Sequence, residues 1–424
     1  MTEPVPDGSR RVFGLVAGHP EPLTVRLSFW ALVIFAATVP LEGIQHLGPL
    51  GSAPRAAGLL SSALIVVALI AALPPRRMER TFFFLGAFVV WVVLSNLWTT
   101  VPSNTLSRTF TYLQLLGMAW IMWQQLGTTE KCRWLMRGYV AGAGLGCLYT
   151  VITRKPHTHG VARFAVGDPN SFGVYVVIGI VMAYHLFLAA RDRRARLMYV
   201  AFMLLGVLAV FLTVSRTAVI VLGVAGVITI IDRRTLTPLR VAGLVSVVLV
   251  AIVVVIKTVT TRQLGRIGTI QTAAQTGLDQ RTTYWRLAFN TFSQHPLLGV
   301  GANAFRDQAV LITGISRVAH NSFLGVLADM GIVGLALFML ALASAWVQLP
   351  QVLPRRLRQT WLAIGVAWLL GANTLTWEHL KVTWFLAFLL VAEVAACRTR
   401  NSSDVPAPPV SEPAAKTPIE VASA

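Results

Sequence analysis

The hydrophobic positions of the chain form long apolar runs that are separated by short polar or basic connectors. A run of about 20 apolar residues is long enough to cross a bilayer as a helix, and a helix satisfies its backbone polar groups internally. The pattern therefore predicts an all-α, polytopic membrane bundle of about 12 transmembrane helices. The predicted runs are 26–44, 56–74, 81–98, 110–125, 134–153, 171–190, 197–214, 217–231, 241–256, 321–347, 361–377 and 382–397.

Basic residues concentrate on every second connector between these runs. Because cytoplasmic connectors carry the excess of Lys and Arg, this alternation predicts that both termini are cytoplasmic and that the other connectors are periplasmic. The expected location is an inner membrane, with the basic connectors on its cytoplasmic side. The basic connectors carry Arg10, Arg11, Arg76, Arg77, Arg80, Lys131, Arg133, Arg191, Arg193, Arg194, Arg196, Arg233, Arg234, Arg355, Arg356, Arg358, Arg398 and Arg400.

The composition excludes a soluble globular domain. The 424 residues are 55% hydrophobic and only 12% charged, whereas a soluble domain has about 25% charged residues. The net charge of +19 follows first from the cytoplasmic connectors, and the remainder suits anionic membrane lipids or lipid phosphates. We therefore predict no nucleic-acid partner. Cys132, Cys147 and Cys397 lack the spacing of metal ligands, so we expect them to be small hydrophobic residues.

One predicted periplasmic connector, 257–320, is longer than the others and is itself basic. It lies between predicted helices 9 and 10, and two explanations stay open: long loops are translocated regardless of charge, or the loop faces an anionic partner. The predicted organisation is a cytoplasmic segment at 1–25, a transmembrane domain at 26–400 that includes this loop, and a disordered cytoplasmic tail at 401–424, which is rich in Pro, Ala and Ser.

Arg216 interrupts an apolar stretch that runs from residue 197 to residue 231. A single helix of that length would extend about 50 Å, well beyond the hydrocarbon core of about 30 Å. The chain must therefore turn near Ser215 and Arg216, which places the arginine at or just below the outer surface. Two interpretations stay open: the guanidinium reaches the lipid headgroups, or it is presented to a phosphate in bidentate geometry.

The segment 281–292 predicts an amphipathic helix, in which Trp285, Ala288, Phe289 and Phe292 share one side. Such a helix would lie in the interfacial plane with its aromatic side toward lipid. Arg281 precedes Trp285 by one helical turn and projects near the same side. We therefore expect it over the membrane surface, as a phosphate ligand or as an ordinary interfacial arginine.

His320 and Asn321 stand where the long connector returns to the membrane. A histidine exchanges a proton near neutral pH, although a histidine at a helix start also serves structural roles. Asp168, before Pro169 and Asn170, first predicts a helix-entry turn. Four further residues are candidates. His157 and His159 are a weak metal signal, and Glu378 and His379 in the last periplasmic connector carry little spacing information.

Taken in order, these motifs resemble the O-antigen ligase and polymerase superfamily of bacterial membrane glycosyltransferases. The series consists of Asp168-Pro-Asn170, Ser215-Arg-Thr-Ala218, Arg281 with Trp285, His295-Pro-Leu-Leu-Gly-Val-Gly301 and His320-Asn-Ser-Phe-Leu324. The resemblance covers roughly residues 160–345. Each motif is weak by itself, but their order, the topology and the large outer loop are together specific.

The resemblance implies transfer of a glycan from undecaprenyl pyrophosphate to an acceptor hydroxyl at the periplasmic face, without metal, nucleotide or other cofactor. Arg216 and Arg281 would match the family's essential arginines, and His320 its essential histidine. Arg286, Asn321, Asp168 and Trp285 are predicted to contribute to substrate binding. The sequence departs from the family by lacking an acidic residue close to His320.

We therefore predict an inverting, ligase-like glycosyltransferase that acts on lipid A core or a similar acceptor. In this hypothesis Arg216 and Arg281 hold the pyrophosphate while His320 engages the acceptor hydroxyl. A polymerase of the same superfamily, whose acceptor is another lipid-linked glycan, is the first alternative. The second is a secondary transporter, but transporters concentrate their polar residues at mid-depth, whereas here they gather at the outer face.

Overall fold

The computed structural model describes residues 22–42, 76–153, 165–230, 281–313, 317–347 and 349–403, together with a few helical positions between 56 and 66. Every regular element in these ranges is a helix, which agrees with the predicted all-α class. Predictions for the N-terminal segment, the span 241–256, the first part of the long connector, His157, His159 and the tail beyond residue 403 fall outside the described residues.

We number the described helices in chain order. They are α1 (Leu23–Thr38), α2 (Arg80–Leu94), α3 (Pro102–Gln125), α4 (Thr129–Thr153), α5 (Pro169–Ala189), α6 (Arg193–Leu212), α7 (Arg216–Ile230), α8 (Arg281–Gln294), α9 (Phe305–Thr313), α10 (Ser322–Trp346), α11 (Leu349–Val352), α12 (Arg355–Ala372) and α13 (Lys381–Ser403). Short 3₁₀ turns, Val39–Leu41 and Ser95–Leu97, extend α1 and α2.

Within the described residues, seven helices are long and apolar enough to cross a membrane: α1 and α2 with their 3₁₀ extensions, α4, α5, α6, α10 and α13. A further apolar helix, α7, is shorter. α3 and α12 also coincide with predicted runs but are more polar, because the first turn of α3 carries Ser103 and Asn104 and α12 begins with two arginines. The chain is thus a multi-pass membrane protein, and the predicted count of 12 spans stays a prediction.

The core forms where α5 and α13 are enclosed by the other helices. α5 packs against α4, α6, α7 and α12, so it is buried around most of its circumference. Small residues allow these close approaches: a Cβ on Gly173 of α5 would lie 2.5 Å from the Cβ of Ala218 on α7. Small residues at helix contacts are typical of membrane bundles, where close packing replaces the hydrophobic effect.

Contacts between distant segments define two ends of the bundle. At the first, which we call the basic end, Arg76 donates to the carbonyls of Trp123 and Leu126, and Arg398 pairs with Glu79 at 3.6 Å. Two of the predicted arginine clusters therefore meet at one end. The second end, which we call the site end, holds the turns that follow α1, α6 and α12.

α10 is broken at Gly331, which divides it into a short segment before Met330 and a longer one after Ile332. Gly331 has φ +66° and ψ −170°, a conformation that disfavours residues with a Cβ. A Cβ there would lie 2.2 Å from the carbonyl oxygen of Leu297. The backbone N–H of Ile332 donates to the carbonyl of Pro296 at 2.9 Å, so the break is the point where the His295–Gly301 motif joins α10.

Replacing Gly331 by alanine should therefore destabilise the protein by about 2 kcal/mol or more, because the new Cβ adds backbone strain to a steric overlap. Thermal unfolding of the detergent-solubilised protein measures the effect. Gly86→Ala is the matched control, since a Cβ at Gly86 meets none of the described residues within 4 Å. Equal melting temperatures for the two variants would contradict the account of the break.

Candidate active site

Arg216 lies at the turn that the sequence predicted. α6 ends at Leu212 and α7 begins at Arg216, so the apolar stretch is two helices. Val214, in the turn, has φ +50°, which is rare for a β-branched residue and indicates a constrained backbone. The Arg216 side chain is half-buried at the first position of α7, where the helix dipole favours an anion.

The Asp168 motif is joined directly to this turn. The buried hydroxyl of Ser215 donates to Oδ1 of Asn170 at 3.0 Å. Asp168 caps α5, because its carboxylate accepts from the backbone N–H of Ser171 at 2.8 Å. This confirms the predicted helix-entry turn, while a role of Asp168 in substrate binding stays a prediction.

His320 and Asn321 begin α10 and are fixed by the connector between α12 and α13. Asn321 is the N-cap, and its Oδ1 accepts from the backbone N–H groups of Phe323 and Leu324. Its Nδ2 donates to the carbonyl of Asn373 at 3.2 Å. His320 is half-buried, with φ +50°. The capping amide thus sets the backbone that carries the histidine.

Trp377 connects the His320 segment to the Arg216 segment. Its backbone N–H donates to Oγ of Ser322 at 2.7 Å, and its indole Nε1 donates to Oγ of Ser171 at 3.3 Å. Its ring also packs on Tyr175 of α5, with 5.1 Å between the centroids. A continuous series of contacts therefore runs from Ser322 through Trp377 and α5 to the turn before Arg216, and places both segments at the site end.

Arg281 is the first residue of α8, and the packing of α8 directs it toward the same end. The C-terminal end of α8 leads to Pro296 beside Ile332, while Leu287 and Ala288 share a buried apolar cluster with Ala319 and Ala328. α8 therefore runs antiparallel to the first segment of α10. At 1.5 Å per residue, the N-terminus of α8 lies about 20 Å from its C-terminus, on the side of His320.

The predicted helix 281–292 is confirmed, whereas the orientation of its aromatic side toward lipid stays a prediction. Its buried residues are Tyr284, Leu287, Ala288 and Thr291. Of the predicted aromatic side, Phe289 is 56% exposed. α8 docks on α9 and α10, so the face next to the aromatic side is the one that is buried. The local sequence pattern does not contain this contact.

Two further predicted binding residues lie on α8. Trp285 is half-buried, and its Nε1 is buried without a hydrogen-bond partner among the described residues. A buried indole N–H favours an acceptor, and a hydrogen bond from Trp285 to a substrate stays a prediction. Arg286 is exposed on another side of the helix, as expected for the residue after Trp285.

A second polar cluster lies at the site end, and it includes the Glu378–His379 pair. Nδ1 of His379 lies 2.9 Å from Oε1 of Glu378, whose Oε2 is buried without a partner among the described residues. Arg108 of α3 exerts an electrostatic effect on both groups. Its Nη2 donates to Oδ1 of Asn303 at 2.7 Å. Arg108 precedes a predicted run and was not identified from the sequence.

Asp329 orders the loop between α8 and α9, and it was also missed. Its carboxylate accepts from the backbone N–H groups of Asn303 and Phe305, each at 2.9 Å, and its carbonyl accepts from Gly301 at 2.8 Å. An acidic residue within an apolar run was the available signal, because such residues are expensive in a membrane and are retained for a partner.

The pKa shifts of the Glu378–His379 pair predict lower stability in acid. Burial and the Arg108 guanidinium lower the pKa of His379 below 6.5, although Glu378 opposes the shift. Burial raises the pKa of Glu378, but His379 and Arg108 outweigh it, so the net pKa lies below 4.5. Since both folded-state pKa values are lowered, the unfolded chain binds more protons and stability falls as the pH drops.

The melting temperature should accordingly decrease from pH 7 toward pH 5, first through the histidine. His379→Gln keeps a side chain that donates a hydrogen bond but does not titrate, so its decrease should be shallower than that of the wild type. An identical pH dependence in the two proteins would contradict this assignment.

Within the described ranges, no three His, Cys, Asp or Glu side chains group in a way that could hold a metal ion. The groups of the described site that could bind an anionic substrate are guanidinium groups, helix N-termini and imidazoles.

Fold and site together define a multi-pass, all-α membrane protein with arginine and histidine segments gathered at one end. Residues 201–339 match the family model described as O-antigen ligase. Arg216, Arg281 and His320 all lie in this matched part of the chain, and the predicted resemblance to the O-antigen ligase/polymerase superfamily is confirmed. A search of curated proteins gave no match.

Proposed function

We propose that the protein is an O-antigen ligase-like glycosyltransferase. It transfers a glycan from undecaprenyl pyrophosphate to an acceptor hydroxyl of lipid A core or a similar molecule. The observation that carries this proposal is the series of contacts from Ser215 and Asn170 through Trp377 to Ser322. It brings the cationic turn of Arg216 to the same end of the bundle as the imidazole of His320.

The chemistry follows from the leaving group. The acceptor oxygen attacks the anomeric carbon, the bond from that carbon to the phosphate oxygen breaks, and undecaprenyl pyrophosphate leaves with the bonding electrons. Attack from the side opposite the leaving group inverts the anomeric centre. A pyrophosphate needs neutralisation of its charge more than protonation, and Arg216 and Arg281 would supply this through charge-assisted hydrogen bonds.

His320 would take the proton of the acceptor hydroxyl as the new glycosidic bond forms. A neutral imidazole near pH 7 suits this step. The half-buried Trp285 would donate its indole N–H to a phosphate or sugar oxygen. Asn321 would act through His320, because its amide fixes the start of α10.

The orientation of the bundle is part of the proposal. The arginine clusters at the basic end support a cytoplasmic location for that end. The site end would then be periplasmic, where the donor glycan and the acceptor meet. With an even number of spans, both termini would be cytoplasmic.

Transfer in vitro tests the proposal. Purified protein is mixed with a defined undecaprenyl-pyrophosphate glycan and candidate acceptors, with a chelator or with added Mg²⁺. We expect glycosylated acceptor and free undecaprenyl pyrophosphate at equal rates in both conditions. Failure to transfer to any acceptor, together with proton-coupled uptake in vesicles, would favour a transporter instead.

A polymerase of the same superfamily is the alternative within this proposal, and the glycans that accumulate after gene deletion distinguish the two. Loss of a ligase leaves long glycan chains that are still linked to the lipid carrier. Loss of a polymerase leaves acceptors that carry only one repeat unit.

A further inference from the structure

A groove with a cation at one end lies on another flank of the bundle, away from Arg216. Its cavity of about 150 Å³ is formed by Phe35 of α1, the middle of α3, helical residues near Gly58, and Lys381 at the start of α13. We call it the α1–α3 groove. We propose that it binds one hydrocarbon chain of the lipid-anchored acceptor, with the anionic headgroup beside Lys381. This inference rests on the proposed glycan transfer.

The size and lining of the groove fit one chain. An apolar cavity of about 150 Å³ holds a benzene-sized molecule, which corresponds to a segment of a single acyl or prenyl chain. Leu115 and Met118 form its apolar floor, and Gly117 leaves it open, because a Cβ there meets no atom of the described residues within 4 Å. Thr111 and Met118 lie about 14 and 24 Å along α3 from its start at the site end, so the groove extends into the membrane.

Charge complementarity identifies the head of the ligand. Nζ of Lys381 lies 2.6 Å from Oε1 of Glu42, and both side chains are mostly buried. An ammonium group has three donors, and Lys381 also lines the groove. Oε2 of Glu42 is buried without a partner among the described residues. A phosphate on Lys381 with a sugar hydroxyl on Glu42 would satisfy both groups, as a phosphorylated glycolipid provides.

The position of the groove assigns it to the acceptor rather than to the donor. The connector 373–380 lies between the groove and the Arg216 turn: its Trp377 packs toward α5, whereas Trp384, just after it, packs toward Tyr112 of α3. Lys381 follows this connector directly, and the same connector holds Asn321 beside His320. A lipid bound at Lys381 would therefore approach the imidazole from the side opposite the donor phosphates.

The test compares acceptors that share one phosphorylated glycan but carry a full or a truncated lipid chain. In the wild type the full chain should lower the acceptor KM by about tenfold or more, the effect of about two buried methylene groups. Gly117→Leu fills the groove and should abolish this preference, with the donor KM unchanged. Gly223→Leu on α7 is the control, since Gly223 is also an exposed helical glycine, and a Cβ there meets no atom of the described part of the chain within 4 Å.

A second variant tests the headgroup. Lys381→Gln should raise the KM of the phosphorylated acceptor and leave that of a dephosphorylated acceptor unchanged. The inference is overturned if the wild type ignores chain length, if Gly117→Leu keeps the wild-type preference, or if Gly117→Leu raises the donor KM instead. If the wild type transfers no glycan, only the proposed function fails. Native mass spectrometry then tests lipid binding in the groove separately: we expect the wild type, but not Gly117→Leu, to retain the full-chain acceptor.

Discussion

Replacing Arg216 by alanine should reduce glycan transfer by about 100-fold or more, because removal of one preorganised donor to a developing anion costs that much or more. The half-buried guanidinium stands at the start of α7 beside a turn that is fixed by the Ser215–Asn170 hydrogen bond. Arg216→Lys keeps the charge but loses bidentate geometry, so its activity should fall between those of wild type and Arg216→Ala. Transfer in vitro at saturating acceptor gives the measurement.

The control for this prediction is Arg306→Ala. Arg306 is an exposed arginine of the loop region at the start of α9, and its removal changes the net charge equally. It should transfer glycan at close to the wild-type rate. Equal losses in Arg216→Ala and Arg306→Ala would mean that general positive charge, rather than a placed guanidinium, supports the reaction.

Loss of the imidazole at position 320 should reduce transfer by about 100-fold or more, as expected for removal of a general base. The variant His320→Asn isolates the chemistry, because Asn tolerates the φ of +50° at this position and cannot act as a base. Binding of the donor should persist, since the proposed role concerns the acceptor. His295→Asn, at an exposed histidine that follows α8, should retain activity.

The pH dependence separates a base from a structural histidine. The wild-type rate should fall as acid protonates the imidazole, and the residual rate of His320→Asn should lack this decrease. A residual rate in His320→Asn that follows the wild-type pH profile would assign the base to another residue, with His379 as the first candidate.

The local elements of this site were predictable because their signals are local. The length of the apolar stretch 197–231 exceeds what one helix needs, which predicts the turn at Arg216. Asp168 and Asn321 are both residue types that cap helices, and each caps the helix that follows it. The order of the motifs along the chain then gave the resemblance to the superfamily.

The contacts that assemble the site were not predictable from one sequence. The Ser215–Asn170 hydrogen bond joins residues 45 positions apart, and the Trp377–Ser171 bond joins residues 206 positions apart. No periodicity encodes such pairs. The predicted run 361–377 included the start of the connector 373–380, because the connector residue Trp377 is apolar. In the structure α12 ends at Ala372, and Trp377 contacts other helices from outside α12. The buried face of α8 was not predictable for the same reason, because it is defined by the long-range contact with α10.

Photo-cross-linking with an undecaprenyl pyrophosphate analogue tests the central claim most directly. The analogue carries a photoreactive group near its phosphates, and mass spectrometry identifies the peptides that it labels. We expect label in the segments around residues 216, 281 and 320 together, with competition by unmodified undecaprenyl pyrophosphate. Label confined to one of these segments, or found at the basic end around Arg76 and Arg398, would show that the two arginines and the histidine do not share one binding site.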